Sequence, residues 1–121
     1  SDVQENLDIS EIFGKKDVFA LTVNGDSMID ACIADGDMVL MEPIKESYPL
    51  RNGTIVSAMV PGLGTTLKYF FKKGGKIFLE AANPNYEPIE LDAEQVVLQG
   101  KLLAVWRKVW LLCSIKNLSL I

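Results

Sequence analysis

The chain has 121 residues, with 12 Lys and Arg against 16 Asp and Glu, two Cys and no His. That length makes one ordinary domain, and 49% hydrophobic with 23% charged residues describes a globular fold and not a disordered one. Without His, a Ser-His-Asp or Cys-His hydrolase and any His-ligated zinc site are excluded, and Cys32 and Cys113 cannot make a four-thiolate centre. An enzyme built on this chain must take its base from a carboxylate, a lysine or a cofactor.

Residues 1–17 are polar, with acids at Asp2, Glu5, Asp8, Glu11 and Asp17, and read as a connector leading into the fold. Val18 to Val23 is rich in β-branched and aromatic residues and predicts a strand. Asn24-Gly25-Asp26 breaks it. Ser27 to Ile33 predicts one or two helical turns with Ser27 near the N-cap, and Asp35-Gly36-Asp37 turns the chain again. Met38 to Glu42 and Thr54 to Val60 are the next expected strands, followed by a turn at Pro61 to Gly64. Thr65 to Lys72 and Lys76 to Ala82 flank Lys73-Gly74-Gly75, a hairpin signal. Asn83-Pro84-Asn85 forms another turn. Short extended runs follow around Ile89 and from Gln95 to Leu98, and Lys101 to Trp106 makes a final strand. The expectation is a mainly β domain with one short helical turn.

Charge is spread unevenly. Residues 1–60 hold 11 acids and 4 bases, residues 61–121 hold 5 acids and 8 bases. An acidic domain of this kind matches the phosphate backbone poorly, so this segment is not expected to grip nucleic acid itself. No signal-peptide pattern is visible, and the late apolar stretch Val109 to Ile115 is too short to span a bilayer. A cytoplasmic location without membrane contact is the expectation.

Chemistry concentrates in Val23 to Asp37. Gly25 permits a tight bend, and Ser27 follows where the amide N–H groups of Asp26, Ser27 or Met28 can point outward, as an oxyanion site requires. Gly-Asp-Ser is also an ordinary turn sequence. Lys68 is the second candidate. It lies in Thr65-Thr-Leu-Lys-Tyr-Phe-Phe71, where alternation puts Thr66, Lys68 and Phe70 on one face. A lysine in such an apolar strand is desolvated, which favours the neutral amine; bringing its pKa from about 10.4 to near 7 costs roughly 4–5 kcal/mol. A neutral lysine can take the proton of a serine hydroxyl, with Thr66 holding the amine in line. An edge-strand lysine that blunts aggregation is the plainer alternative.

Gly25-Asp-Ser-Met-Ile-Asp30 with Ile33 and Asp35-Gly-Asp37 resembles the nucleophile motif of the self-cleaving LexA/UmuD family. Thr66-Leu-Lys68 resembles that family's base motif; Asn83-Pro84, Tyr86 and Pro88-Ile89 resemble the segment before its final strands; and Gly100 to Arg107 resembles its closing strand. The resemblance spans residues 18–107 in the family's order. It implies a compact, highly twisted β-sheet domain of the LexA/signal-peptidase type, with Ser27 as nucleophile, Lys68 as general base, Thr66 orienting the base, and the Asp26 and Ser27 amides, next to Met28, as oxyanion donors. It also implies no cofactor, a bacterial cytoplasmic homodimer, and cleavage of one Ala-Gly or Cys-Gly bond in the protein's own connector, stimulated by the RecA–single-stranded-DNA filament after DNA damage. LexA members are repressors that bind operator DNA through an N-terminal domain; UmuD members instead serve an error-prone polymerase. The Glu5-Asn-Leu-Asp-Ile lead-in, Tyr86-Glu-Pro-Ile and Ala104-Val-Trp-Arg favour LexA.

No Ala-Gly or Cys-Gly pair occurs in these residues, so the expectation is a C-terminal piece: connector remnant at 1–17, peptidase and dimerisation domain at 18–108, and an atypical apolar extension at 109–121. Trp106 and Trp110 are candidate interface anchors or sheet-packing residues. Cys32 reads as a small buried apolar residue, a redox switch being the sharper alternative, and the acids Asp26, Asp30, Asp35 and Asp37 as turn formers, their spacing not matching a calcium loop. No metal is assigned.

Overall fold

Short runs of β-branched and aromatic residues, punctuated by Gly, Asn and Asp, become seven strands in the computed structural model, which describes residues 17–46 and 49–108. They are β1 (Phe19–Thr22), β2 (Met38–Pro43), β3 (Thr54–Val60), β4 (Gly64–Lys73), β5 (Lys76–Glu80), β6 (Ile89–Asp92) and β7 (Val97–Trp106). All pair antiparallel in one sheet of order β1-β2-β7-β3-β4-β5-β6. Two isolated 3₁₀ turns, Ile29–Ala31 and Ala93–Gln95, are the helical content of the described residues. The mainly β expectation holds. Of the expected connector at 1–17 all but Asp17, and the whole of the expected extension at 109–121 with Trp110 and Cys113, lie outside the described residues.

The tight β4–β5 connection is set by Gly74 and Gly75, whose φ values of +58° and +79° match the right-handed twist of the flanking strands. The end of the sheet differs from expectation. The runs Gln95 to Leu98 and Lys101 to Trp106 are not two elements: β7 runs unbroken from Val97 to Trp106. Gln95 belongs instead to a capping box, in which its side-chain oxygen accepts the Asp92 N–H at 2.9 Å. β7 serves two partners and carries a register shift against each. Ser57 pairs with Gly100 and Ala58 with Leu98, leaving Gln99 extra; Leu40 pairs with Ala104 and Met41 with Leu102, leaving Leu103 extra. Such bulges bend a strand and sharpen its twist. They also interrupt alternation, which is why the sequence reads as two short strands.

The sheet is packed on both faces. Val56, Ala58, Val60, Phe70, Ile77, Leu79 and Val96 form one buried cluster. Met28, Ile33, Val39, Met41 and Ala82 form the other, joined by Phe19, Leu67 and Tyr69. Each large side chain so buried contributes about 1.5–3 kcal/mol. Phe19 of β1 lies over Gly100 of β7, so closely that a Cβ there would meet the ring at 2.6 Å. Beside it Ser57 is fully buried, and its hydroxyl has no hydrogen-bond partner among the described residues.

Candidate active site

The loop between β1 and β2 carries Ser27. Its base is stapled by Val23 N–H to Asp37 O and Gly36 N–H to Val23 O, both 2.8 Å. Gly25, at φ +94°, makes the bend and donates its N–H to the Asp35 carboxylate at 2.6 Å. The 3₁₀ turn starts at Ile29, with Met28 ahead of it and no side-chain cap. Ser27 therefore lies next to the N-cap, as expected, and its hydroxyl, instead of capping the turn, meets Lys68. Met28 is buried in the core and anchors the loop. The turn closes at Cys32, held in the left-handed region at φ +63°; it is exposed and not buried as expected, because it sits at the end of a surface turn.

Asp37 secures the far end of the loop. Its side chain accepts the Ala34 N–H at 2.8 Å and a two-pronged contact from Arg107, Nε to Oδ1 and Nη2 to Oδ2, each 2.8 Å. Arg107 Nη2 also donates to the Cys32 carbonyl at 3.1 Å. The hydrogen bonds from Arg107 and then from Ala34 hold the Asp37 pKa down at about 2.

Lys68 arrives from β4. Its ladder partner is the buried Val56, and Thr66, two residues earlier on the same face, pairs with Ala58. Only 7% of Lys68 is exposed, and burial pushes its pKa below the ordinary lysine value. Its Nζ lies 3.1 Å from Ser27 Oγ, 2.5 Å from Thr66 Oγ1 and 3.1 Å from the Leu67 carbonyl. Three of the residues singled out from sequence, Ser27, Thr66 and Lys68, thus meet at one amine, although Ser27 and Lys68 are 41 positions apart. A cleft of about 250 Å³ opens beside Ser27, lined by Leu21, Val23, Met28, Val39, Thr65 and Leu67 among others.

Sequence reasoning treated the acidic residues of the loop as turn formers. Asp35 does serve the Gly25 bend, but Asp37 pairs with Arg107 and Asp26 accepts the Tyr86 hydroxyl at 2.6 Å. Asn83 and Tyr86 were visible only as parts of a motif; what they touch lies 57 and 60 positions away, and no local pattern reports that. No helix of the described residues is long and apolar enough to cross a membrane.

The chain is similar to the LexA repressor of Koribacter versatilis (strain Ellin345), 39% identical over 104 residues that cover 86% of this chain and 48% of that protein. It is 42% identical to LexA repressor 1 of Nocardia farcinica (strain IFM 10152) over 99 residues, 82% of this chain and 43% of that protein. The chain spans about half the length of the curated relatives it matches. The family model described as Peptidase S24-like matches residues 1–103. With most of its length inside that match, the chain belongs to the peptidase S24-like family.

Proposed function

We propose that Ser27 and Lys68 are the nucleophile and general base of a serine endopeptidase that cuts a bond in its own polypeptide. The observation that carries this reading is the 3.1 Å approach of a buried, pKa-lowered Lys68 amine to the Ser27 hydroxyl. The valence of the amine supports it further. A neutral amine has two N–H donors and one lone pair. As the ammonium, Lys68 Nζ donates to Ser27 Oγ, Thr66 Oγ1 and the Leu67 carbonyl; once it loses a proton, N–H bonds kept to Thr66 and Leu67 leave the lone pair to the Ser27 O–H.

In the acylation step Ser27 Oγ bonds to the scissile carbonyl carbon while its proton passes to Lys68 Nζ. The carbonyl oxygen becomes an oxyanion, for which the Asp26 and Ser27 amides are the proposed donors. The Lys68 ammonium then gives its proton to the amide nitrogen as the C–N bond breaks, leaving an ester on Ser27. Water attacks that ester, its proton passing to Lys68; the C–Oγ bond breaks and Lys68 returns the proton to Ser27. One water is consumed and the amine is neutral again.

The wider role follows the name both relatives carry. We infer that this is the self-cleavage and dimerisation domain of a LexA-type repressor of the DNA-damage response, with operator DNA gripped by a part of the protein outside these residues. The RecA filament would act as the stimulus of cleavage. Trp106, half-exposed at the end of β7 and opposite the exposed Met38, suits a homodimer contact. The polymerase-accessory reading is the weaker of the two because both relatives are named repressors.

The test is cleavage of a peptide bearing an Ala-Gly bond. The rate rises with pH as Lys68 loses its proton, below the ordinary lysine value of about 10.4, and Ser27→Ala abolishes it. Wild-type rates in Ser27→Ala refute the assignment.

A further inference from the structure

The turn after β5 grips the nucleophile loop at three points that the proton transfers leave unused. The Asp30 N–H donates to the Ala82 carbonyl at 2.8 Å, Asn83 Nδ2 donates to the Asp26 carbonyl at 3.0 Å, and the Tyr86 hydroxyl donates to Asp26 Oδ1 at 2.6 Å. Asn83 is buried, with 8% exposed, and is itself held: its side-chain oxygen accepts the Asn85 N–H at 2.9 Å and its carbonyl accepts the Tyr86 N–H at 3.1 Å. With its oxygen end occupied by Asn85, the amide end is the one turned to Asp26.

Peptide planarity converts that grip into orientation. The peptide between Asp26 and Ser27 is trans, so the Asp26 carbonyl and the Ser27 N–H point in opposite directions across one rigid plane. That carbonyl also accepts the Ile29 N–H within the loop at 3.2 Å, so Asn83 is its hold from outside the loop, and together they fix the plane with the Ser27 N–H turned away from the Asn83–Tyr86 turn. The pinning matters here because Gly25, one residue earlier, brings no side chain to restrain the bend. We propose that Asn83, seconded by Tyr86, is a positioning residue for the oxyanion site, holding the Asp26–Ser27 peptide so that the Ser27 N–H stays aimed at the substrate carbonyl. This rests on the Ser27–Lys68 reading and adds to it a part of the protein that meets neither the proton nor the base: the partners of Lys68 Nζ are Ser27, Thr66 and Leu67.

Asn83→Asp keeps the size and the acceptor for Asn85 but removes the donor to Asp26. With the Ala-Gly peptide, its kcat falls about 30-fold while KM stays within about two-fold, a fraction of the loss on deleting an oxyanion donor outright. The pH midpoint of kcat, which reports Lys68, is unchanged. A peptide aldehyde, which forms a tetrahedral adduct on Ser27, loses affinity by the same about 30-fold, whereas an uncleaved peptide does not; a merely loosened fold would weaken both alike. Tyr86→Phe removes one exposed hydroxyl and lowers kcat about three-fold at constant KM, and decides the matter should Asn83→Asp not fold. Unchanged kcat and aldehyde affinity in a folded Asn83→Asp, or unchanged kcat in Tyr86→Phe if it alone folds, overturns the proposal while Ser27→Ala remains inactive. Cleavage by Ser27→Ala overturns both readings together.

Discussion

The two halves of the Ser27–Lys68 pair are held in opposite ways. Lys68 sits in a ten-residue strand, paired across to Val56 in the continuous β3 ladder, and the β5 ladder begins at the next residue, Tyr69. Ser27 sits in a loop whose regular structure is one three-residue turn, and its place depends on individual bonds from residues far away in sequence. The difference separates two kinds of sensitivity. Changes around Lys68 alter the chemistry of a group that hardly moves, whereas changes around Ser27 alter where a chemically ordinary hydroxyl stands.

The largest effect is expected on the rigid side. Lys68→Arg keeps a long cation in place but cannot lose its proton, so cleavage of the Ala-Gly peptide falls at least ~10³-fold across the pH range with the fold intact. Retained activity would break the contrast, since the strand would then matter for position alone. On the loop side, Arg107→Gln removes the clamp on Asp37 and lowers cleavage about ten-fold, with circular dichroism reporting an intact sheet. The same substitution has a pH signature. Asp37 is held at about 2, below its unfolded value of about 3.9, so the folded chain binds fewer protons between the two. The stability this provides is full above about 4 and is lost as pH falls through 2. The melting-temperature gap between wild type and Arg107→Gln therefore narrows on acidification from about pH 5 to about pH 2.

Two stability measurements sharpen the comparison from outside the site. Gly100→Ala forces a methyl into the Phe19 ring and costs about 1–3 kcal/mol in urea unfolding, loosening β1, from which the Ser27 loop departs. Ser57→Ala removes a buried hydroxyl that has no partner among the described residues and changes stability by less than about 1 kcal/mol, in the stabilising direction.

Legibility followed the same division. Strands β2 to β5 could be read because alternation and turn residues agree, and Gly74-Gly75 announced its hairpin. Lys68 could be read because an apolar strand implies its burial. The clamp and the Asn83 grip could not: turn residues such as Asp37 and Asn83 look alike whether they close their own turn or reach across the fold. β7 was misread for the reason its bulges exist, since each extra residue shifts the phase of the pattern.

Those two bulges cancel in parity. Each turns over the side chains that follow, so the stretch from Gly100 to Leu102 is out of phase with what lies before and after, and Ala104 onward is back in phase. Arg107 reaches Asp37 from the end of that count. Deleting Gln99 alone would invert every later side chain of the strand and carry the guanidinium off its partner; deleting Leu103 as well would restore the phase. The strand thus keeps an even number of irregularities between the sheet's centre and the loop that carries the nucleophile.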